Sequence, residues 1–266
     1  MNQMAWAMRE LQQMDELAVE NSPIHSRHPL AKLLVTVFYI FTVVSFQKYD
    51  LTGLIPMILY PMLLFAVSGI PVRLCFQKLR FILPLVCVAG IWNPFLDRTV
   101  AGVIGNLAVT GGMISFITLL VKGIFTLMAS FLLIATTSME KICYALHMLH
   151  LPDVMVTQAL MTYRYVSLLL QEAGTMMNAY MLRAPGQKGV HHRAWGSFAG
   201  QLLLRSMDRA QELYQSMQMR GFHGAFYYAD VEKFHTADTC YIIFWGMVFL
   251  LMRYMNLSEW IGSLFL

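Results

Sequence analysis

The sequence predicts an all-α, polytopic membrane protein with about five transmembrane helices and long amphipathic helices on the cytoplasmic side. Three observations carry this expectation. Of 266 residues, 58% are hydrophobic and only 13% are charged, whereas soluble domains carry roughly 25% charged residues. Mean hydropathy is +0.55. Long charge-free runs alternate with short polar links and with one long stretch of mixed polarity, residues 138–238. A soluble fold would leave this much apolar surface in water, so the bilayer is the expected solvent.

A spanning helix needs about 20 mostly apolar residues. The run Leu33 to Phe46 is uncharged and, with its flanks, predicts a first span over about 30–47. Leu51 to Val72 predicts a second, kinked by Pro56 and Pro61, which is tolerable where neighbouring helices re-satisfy the freed carbonyls. Phe81 to Leu96 predicts a short third span, with Pro84 and Pro94 near its ends. The glycines Gly102, Gly105, Gly111 and Gly112 predict a partial or re-entrant piece before a fourth span over about 112–136. That span contains the single charge Lys122, which as an intramembrane cation is either functional, snorkelling or paired with a partner. Tyr241 to Met252, continuing to Leu266, predicts the last span.

Loop charge sets the expected orientation. Residues 73–80 carry Arg73, Lys78 and Arg80 without an acid, whereas the links 47–50 and 96–99 each balance one base with one acid. The basic loop is expected in the cytoplasm, with the N-terminus and residues 138–238 on the same side and the C-terminus outside. This divides the chain into spans one to four with a short N-terminal segment (1–137), a cytoplasmic region (138–238) and a C-terminal span (239–266). The first 29 residues have no apolar core, so no cleavable signal peptide is expected. Cys75, Cys87, Cys143 and Cys240 are scattered and read as free thiols. A net charge of +4 with no lysine run predicts no nucleic-acid partner.

Pro152 and Ala184-Pro185-Gly186 cut the polar region into helical pieces. The first is expected from Ser138, a plausible N-cap, to Leu149. The second runs from Asp153, an acid suited to a helix start, to Arg183, ~45 Å at 1.5 Å per residue. A third runs from about Arg193 to Met219, with Phe198, Leu202 and Met217 forming an apolar stripe beside Arg205, Arg209 and Glu212. Gly221 and Gly224 end it.

The second and third helices each place an arginine in the last turn before a breaker: Arg183 before Ala184-Pro185, and Arg220 before Gly221. Two readings fit. A cation at a helix C-terminus is favoured by the dipole by roughly 0.3–1 kcal/mol, in any protein. Alternatively, the rigid guanidinium fork at each tip grips a carboxylate on another subunit.

The stretch Gly200-Gln201-Leu202-Leu203-Leu204-Arg205-Ser206-Met207-Asp208-Arg209-Ala210, with Tyr214, Met217 and Arg220-Gly221-Phe222, resembles the transmembrane T component of energy-coupling factor transporters, cobalt/nickel (CbiQ-like) branch. Leu151-Pro152, Thr162-Tyr163-Arg164-Tyr165, Glu172, Leu182-Arg183-Ala184-Pro185 and Trp195-Gly196 support it. The resemblance covers about residues 20–255 and is strongest over 150–224. It implies a scaffold in the prokaryotic cell membrane that passes ATP hydrolysis by two ABC-type ATPase subunits to a membrane-embedded substrate-binding (S) component similar to CbiM. A small accessory membrane subunit is a further implied partner. The implied ATPase-coupling residues are Arg183, Ala184, Met219, Arg220 and Gly221. Met219 stands where the family motif has alanine, and Ala184-Pro185 stands where the first motif has glycine. Arg164, Glu172, Arg205, Asp208 and Arg209 are the implied support of the coupling helices. Closure of the ATPases would draw the tips together, tilt the membrane part and open the S component to one side.

Other readings make different demands. No Gly-x-x-x-x-Gly-Lys-Ser/Thr loop is present, so ATP hydrolysis by the P-loop route is not expected here. His147 with His150, His191 with His192, His223, and the trio His235, Asp238 and Cys240 lack a recognisable three- or four-ligand spacing. No catalytic residue, metal site or cofactor is therefore predicted. A membrane metalloenzyme would need acids or histidines in the spans, and spans one to three as drawn have none. A self-sufficient permease would show inverted repeats and paired broken helices. The 21 methionines provide adaptable packing faces.

Overall fold

The computed structural model describes residues 2–20, 22–92, 100–104, 107–184, 190–224 and 234–254. Features expected at Pro94, Asp97, Arg98, Gly105, Pro185 and Gly186, and at the last span beyond Tyr254, lie outside them. In chain order the helices are α1 (Asn2–Val19), α2 (Pro29–Ser45), α3 (Leu51–Leu54), a 3-10 turn (Ile55–Ile58), α4 (Leu59–Ser68) and α5 (Val72–Gly90). A hairpin of β1 (Val100–Ile104) and β2 (Leu107–Thr110) follows. Then come α6 (Gly111–Thr136), α7 (Met139–Met148), α8 (Asp153–Arg183), α9 (Trp195–Met219) and α10 (Thr236–Tyr254). The chain forms two compact units: Leu17–Thr137 with Glu232–Leu266, and Met1–Glu16 with Ser138–Val231.

The first of these units is the apolar one. Leu51–Ser68, Gly111–Thr136 and Thr236–Tyr254 are long and apolar enough to cross a bilayer, and Pro29–Ser45 is a shorter apolar helix. The fold is that of an all-α polytopic membrane protein. α6 packs against α2, α4 and α5, and α10 packs on α2. Gly90 and Gly123 let α5 and α6 approach closely: a Cβ on Gly90 would lie 2.7 Å from the Phe116 ring, and one on Gly123 would lie 3.1 Å from Val86. Small residues at such contacts are how helices gain packing in lipid.

The proline kink is repaired from a neighbour. Pro61 has no N–H, so the carbonyl of Met57 loses its helical partner. The Tyr39 hydroxyl, on α2, donates to that oxygen at 2.9 Å. Tyr39 is fully buried and its ring lies 4.6 Å from that of Tyr60. Tyr60 in turn meets Trp245 and Phe249 edge-on at 4.8 and 5.2 Å. This aromatic nest joins α2, α4 and α10, and edge-to-face pairs of this kind add about 0.5–1.5 kcal/mol each beyond area.

Two expectations change. The basic residues at 73–80 are not in a loop. They form the first half of α5, whose apolar second half is the described part of the expected third span. Pro71 starts this helix, and no breaker intervenes before Pro84. Arg73 and Arg80 are exposed. The glycine-rich piece before α6 is an antiparallel hairpin with Val100 opposite Thr110 and Ile104 opposite Leu107. Glycine disfavours helix there, and Val100, Val103, Ile104, Val109 and Thr110 favour strand.

Lys122 has a defined partner. Its ammonium donates to Val44 O at 3.1 Å and Phe46 O at 2.5 Å. Arg253 donates to Ser45 O at 3.1 Å and lies 4.4 Å over the Phe46 ring. Two cations thus cap the C-terminal carbonyls of α2, the groups that no helical N–H can reach.

The second unit holds α7, α8 and α9, with α8 packed on both of the others. Ser138 caps α7, its hydroxyl accepting from Lys141 N at 3.5 Å. α7 ends on His150 in the left-handed region (φ 59°), and Pro152 then leads into α8. All four cysteines are free, as expected.

Candidate functional site

The two arginine tips belong to the second unit and are built differently. At the end of α9, Gly221 adopts φ 78°. Its N–H reaches Gln218 O at 3.0 Å, and the Phe222 N–H reaches Met217 O at 3.0 Å. This is the paired 6→1 and 5→2 closure that satisfies the last helix carbonyls. Glycine takes the left-handed position without a Cβ clash. Because the backbone closes on itself, the side chains of Met219 (86% exposed) and Arg220 are left projecting into solvent. At the end of α8, Arg183 is the last helical residue and is exposed. Ala184 turns out to φ −128°, and its N–H bonds Tyr180 O at 3.1 Å. The φ of Ala184 falls in the range favoured before a proline, and α8 thus ends differently from the left-handed glycine closure of α9.

Of the five expected supporting residues, the structure joins two. Arg205 on α9 and Glu172 on α8 form an ion pair, with Glu172 the more buried partner. Counting along the helices, the pair lies roughly 16 Å from the α8 tip and roughly 22 Å from the α9 tip. It pins the two helices well behind both arginines. Arg164, Asp208 and Arg209 are exposed. Exchanging the charges (Glu172→Arg with Arg205→Glu) is expected to retain thermal stability within about 0.5 kcal/mol. Arg205→Glu alone should lose about 1 kcal/mol, the scale of a partly exposed pair turned repulsive. Thermal unfolding of the three proteins in detergent checks this.

Among the described residues the histidines fall outside any ligand set. His147 Nε2 lies 3.0 Å from Asp153 Oδ1, at a cavity of about 570 Å³ that His150 also lines. His191 Nδ1 accepts from Arg193 N. Both carboxylate oxygens of Asp238 are engaged by backbone N–H groups, those of His28 and His235. Among the described residues no group of three or more His, Cys, Asp or Glu is arranged to hold a metal.

Sequence reasoning missed α1. Its Asp15 accepts a hydrogen bond from the Tyr163 hydroxyl of α8 at 2.5 Å, and burial, followed by the neighbouring carboxylate, raises the phenol above its ordinary range. The polar, mixed-charge character of residues 2–19 hid the helix; the spacing of Met4, Met8, Leu11 and Met14 was the available signal. Lys32 escapes the sequence signal as well, because the charge-free run that marks the first span begins one residue after it.

Fold and tips together define an integral membrane protein with an attached helical unit whose two rods end in exposed arginines. The chain belongs to the CbiQ family of cobalt transport proteins, whose model matches residues 20–228. That segment includes both tips and omits α1. The chain is also similar to the nickel permease LarQ of Lactiplantibacillus plantarum, 30% identical over 103 residues, or 39% of this chain and 38% of that protein. An uncharacterized protein of Methanocaldococcus jannaschii is 28% identical over 112 residues, 41% of this chain and 38% of its own length. The matches thus span about 38% of the length of each relative.

Proposed function

We propose that the chain is the transmembrane T component of an energy-coupling factor transporter that takes up a transition-metal ion, cobalt or nickel. The observation that carries this reading is the α9 tip: Arg220 stands exposed ahead of left-handed Gly221, inside the segment matched by the family model. In this reading residues 138–238 lie in the cytoplasm, with the N-terminus on the same side of the cell membrane. Arg220 and Arg183, with Met219, Gly221 and Ala184 around them, each meet a carboxylate on one of two ABC-type ATPases. Glu172 and Arg205 hold α8 and α9 together so that the tips move as one body.

A second feature supports a partner for α9. None of its residues is buried, and Leu203, Leu204, Met207 and Tyr214 are each more than half exposed. An apolar run of this kind on a helix outside the lipid-spanning elements is typical of an interaction surface. The names of the family and of the nickel permease speak of transport and not of catalysis. The metal itself is held by an S component in this reading.

Affinity purification of the chain from prokaryotic membranes tests the proposal. Two ATPase copies and an S component should accompany it, with or without a small accessory membrane protein. The isolated chain should bind neither Co²⁺ nor Ni²⁺ stoichiometrically with sub-micromolar affinity by calorimetry. Metal uptake by the chain alone in vesicles would instead establish a self-sufficient permease, and metal-dependent turnover would establish a membrane enzyme.

A further inference from the structure

The chain passes three times between its two compact units, at Glu16/Leu17, at Thr137/Ser138 and ahead of His235. On the apolar unit's side, each passage is held by a buried polar side chain. His25 Nε2 donates to Leu17 O at 3.0 Å, at the end of α1. Lys32 Nζ donates to Thr136 O at 2.8 Å, at the end of α6. Asp238 accepts from His235 N at 3.0 Å, at the start of α10.

These contacts form one network. Lys32 Nζ also reaches His25 O at 3.5 Å, which links the first passage to the second. Asp238 Oδ1 also accepts from His28 N at 3.2 Å, which links the third passage to the start of α2. His28 and Lys32 are themselves joined through the first helical turn, Lys32 N to His28 O at 3.3 Å. The side chains of Lys32 and Asp238 sit in residues only 3% exposed, and His28 in one only 2% exposed. The charge signs suit their places: a cation at the C-terminus of α6, and an acid at the N-termini of α2 and α10. Burying ionised groups is costly unless every bond is made, and it yields little net stability. In a membrane protein such groups mark function.

We infer that the first turn of α2 is a mechanical joint, in which Lys32 and Asp238 are positioning residues that fasten all three chain passages to one point of the membrane unit. A displacement of the coupling unit is then delivered to α2, α6 and α10 together, and not lost in slack at three separate connections. The functional half of this inference rests on the ATPase-coupled reading above. The fastening itself does not.

Lys32→Met and Asp238→Asn keep side-chain volume and remove the bonding charge. In the intact transporter in vesicles, each should lower Co²⁺ or Ni²⁺ uptake per ATP hydrolysed at least 10-fold, with complex assembly and hydrolysis rate within twofold of wild type. Lys32→Arg, which keeps the charge and donors, should recover at least half of the lost uptake. Unchanged uptake per ATP, or a loss of uptake only in step with lost assembly, overturns the joint. Hydrogen exchange on the purified chain in detergent reads the fastening without any partner. Lys32→Met should speed exchange at least 10-fold around residues 17–28, 136–142 and 235–238 together, with the middles of α2, α6 and α10 unchanged. Faster exchange confined to the segment nearest the substitution overturns it. Should no ATPase accompany the wild-type chain, the coupling reading fails, and the exchange pattern still decides whether the passages are fastened as one.

Discussion

If the chain is the proposed ATPase-coupled component, replacing Arg220 by alanine should lower ATP-driven metal uptake about 100-fold and abolish co-purification of the ATPases. The reasoning is a comparison of magnitudes. Within the chain, Arg220 contributes only its favourable place at the end of the α9 dipole, about 0.3–1 kcal/mol. The left-handed closure at Gly221 is made by backbone groups and survives the change. Truncating one partner of a hydrogen-bonded charge pair at an interface costs about 2–5 kcal/mol, much of it from the charge left behind. About 2.7 kcal/mol corresponds to a factor of 100. The loss should therefore fall on assembly and transport, with thermal stability of the isolated chain nearly unchanged. Arg220→Lys keeps the charge and loses the fork, so its uptake should lie between the two. Gly221→Ala meets no atom within 4 Å, leaving only the strain of φ 78°, about 1–2 kcal/mol. It should weaken docking less than Arg220→Ala. Uptake in vesicles and pull-down of the ATPases measure all three, and normal values for Arg220→Ala would remove the tip from the mechanism.

The second large effect concerns folding. Lys122→Met should destabilise the membrane unit by about 2 kcal/mol. Methionine fills similar volume but leaves Val44 O and Phe46 O without their donor. A carbonyl left without a donor and away from water costs about 1–3 kcal/mol, and single polar contacts between membrane helices are measured at about 0.6 kcal/mol on average, up to about 1.7. Arg253 still serves Ser45 O, so α2 frays and does not detach. Double substitution of Lys122 and Arg253 should exceed the sum of the single changes, because each cation covers part of the other's loss. Equilibrium unfolding in mixed micelles reports these energies. An unchanged midpoint for Lys122→Met would mean that water reaches the end of α2.

Local signals were legible in the sequence, and remote partners were not. α8 has the bounds Asp153–Arg183 that Pro152 and Pro185 dictate, because a proline stops a helix through its own ring and missing N–H. The turn at Gly221 was readable because glycine takes the left-handed position without a Cβ clash. Charge misled where a single residue type serves two structures: Arg73, Lys78 and Arg80 suit a loop, yet they also suit the exposed side of α5. Lys122 could be recognised as unusual, but its partners lie 76 and 78 residues away on another helix. The Glu172–Arg205 pair was legible only as two charges within a resemblance; no local rule sets them opposite one another.

The repair of the break at Pro61 has a consequence for the chain's history. Tyr39 and Pro61 form an epistatic pair: the hydroxyl is needed because the ring removed an amide proton, and the ring is harmless because the hydroxyl is there. A lineage that loses the phenol first inherits an orphaned carbonyl in lipid. One that regains the amide first loses nothing, because the two lone pairs of the Met57 oxygen can accept both the amide and the hydroxyl. Descendants should therefore give up the proline before the phenol, or keep both.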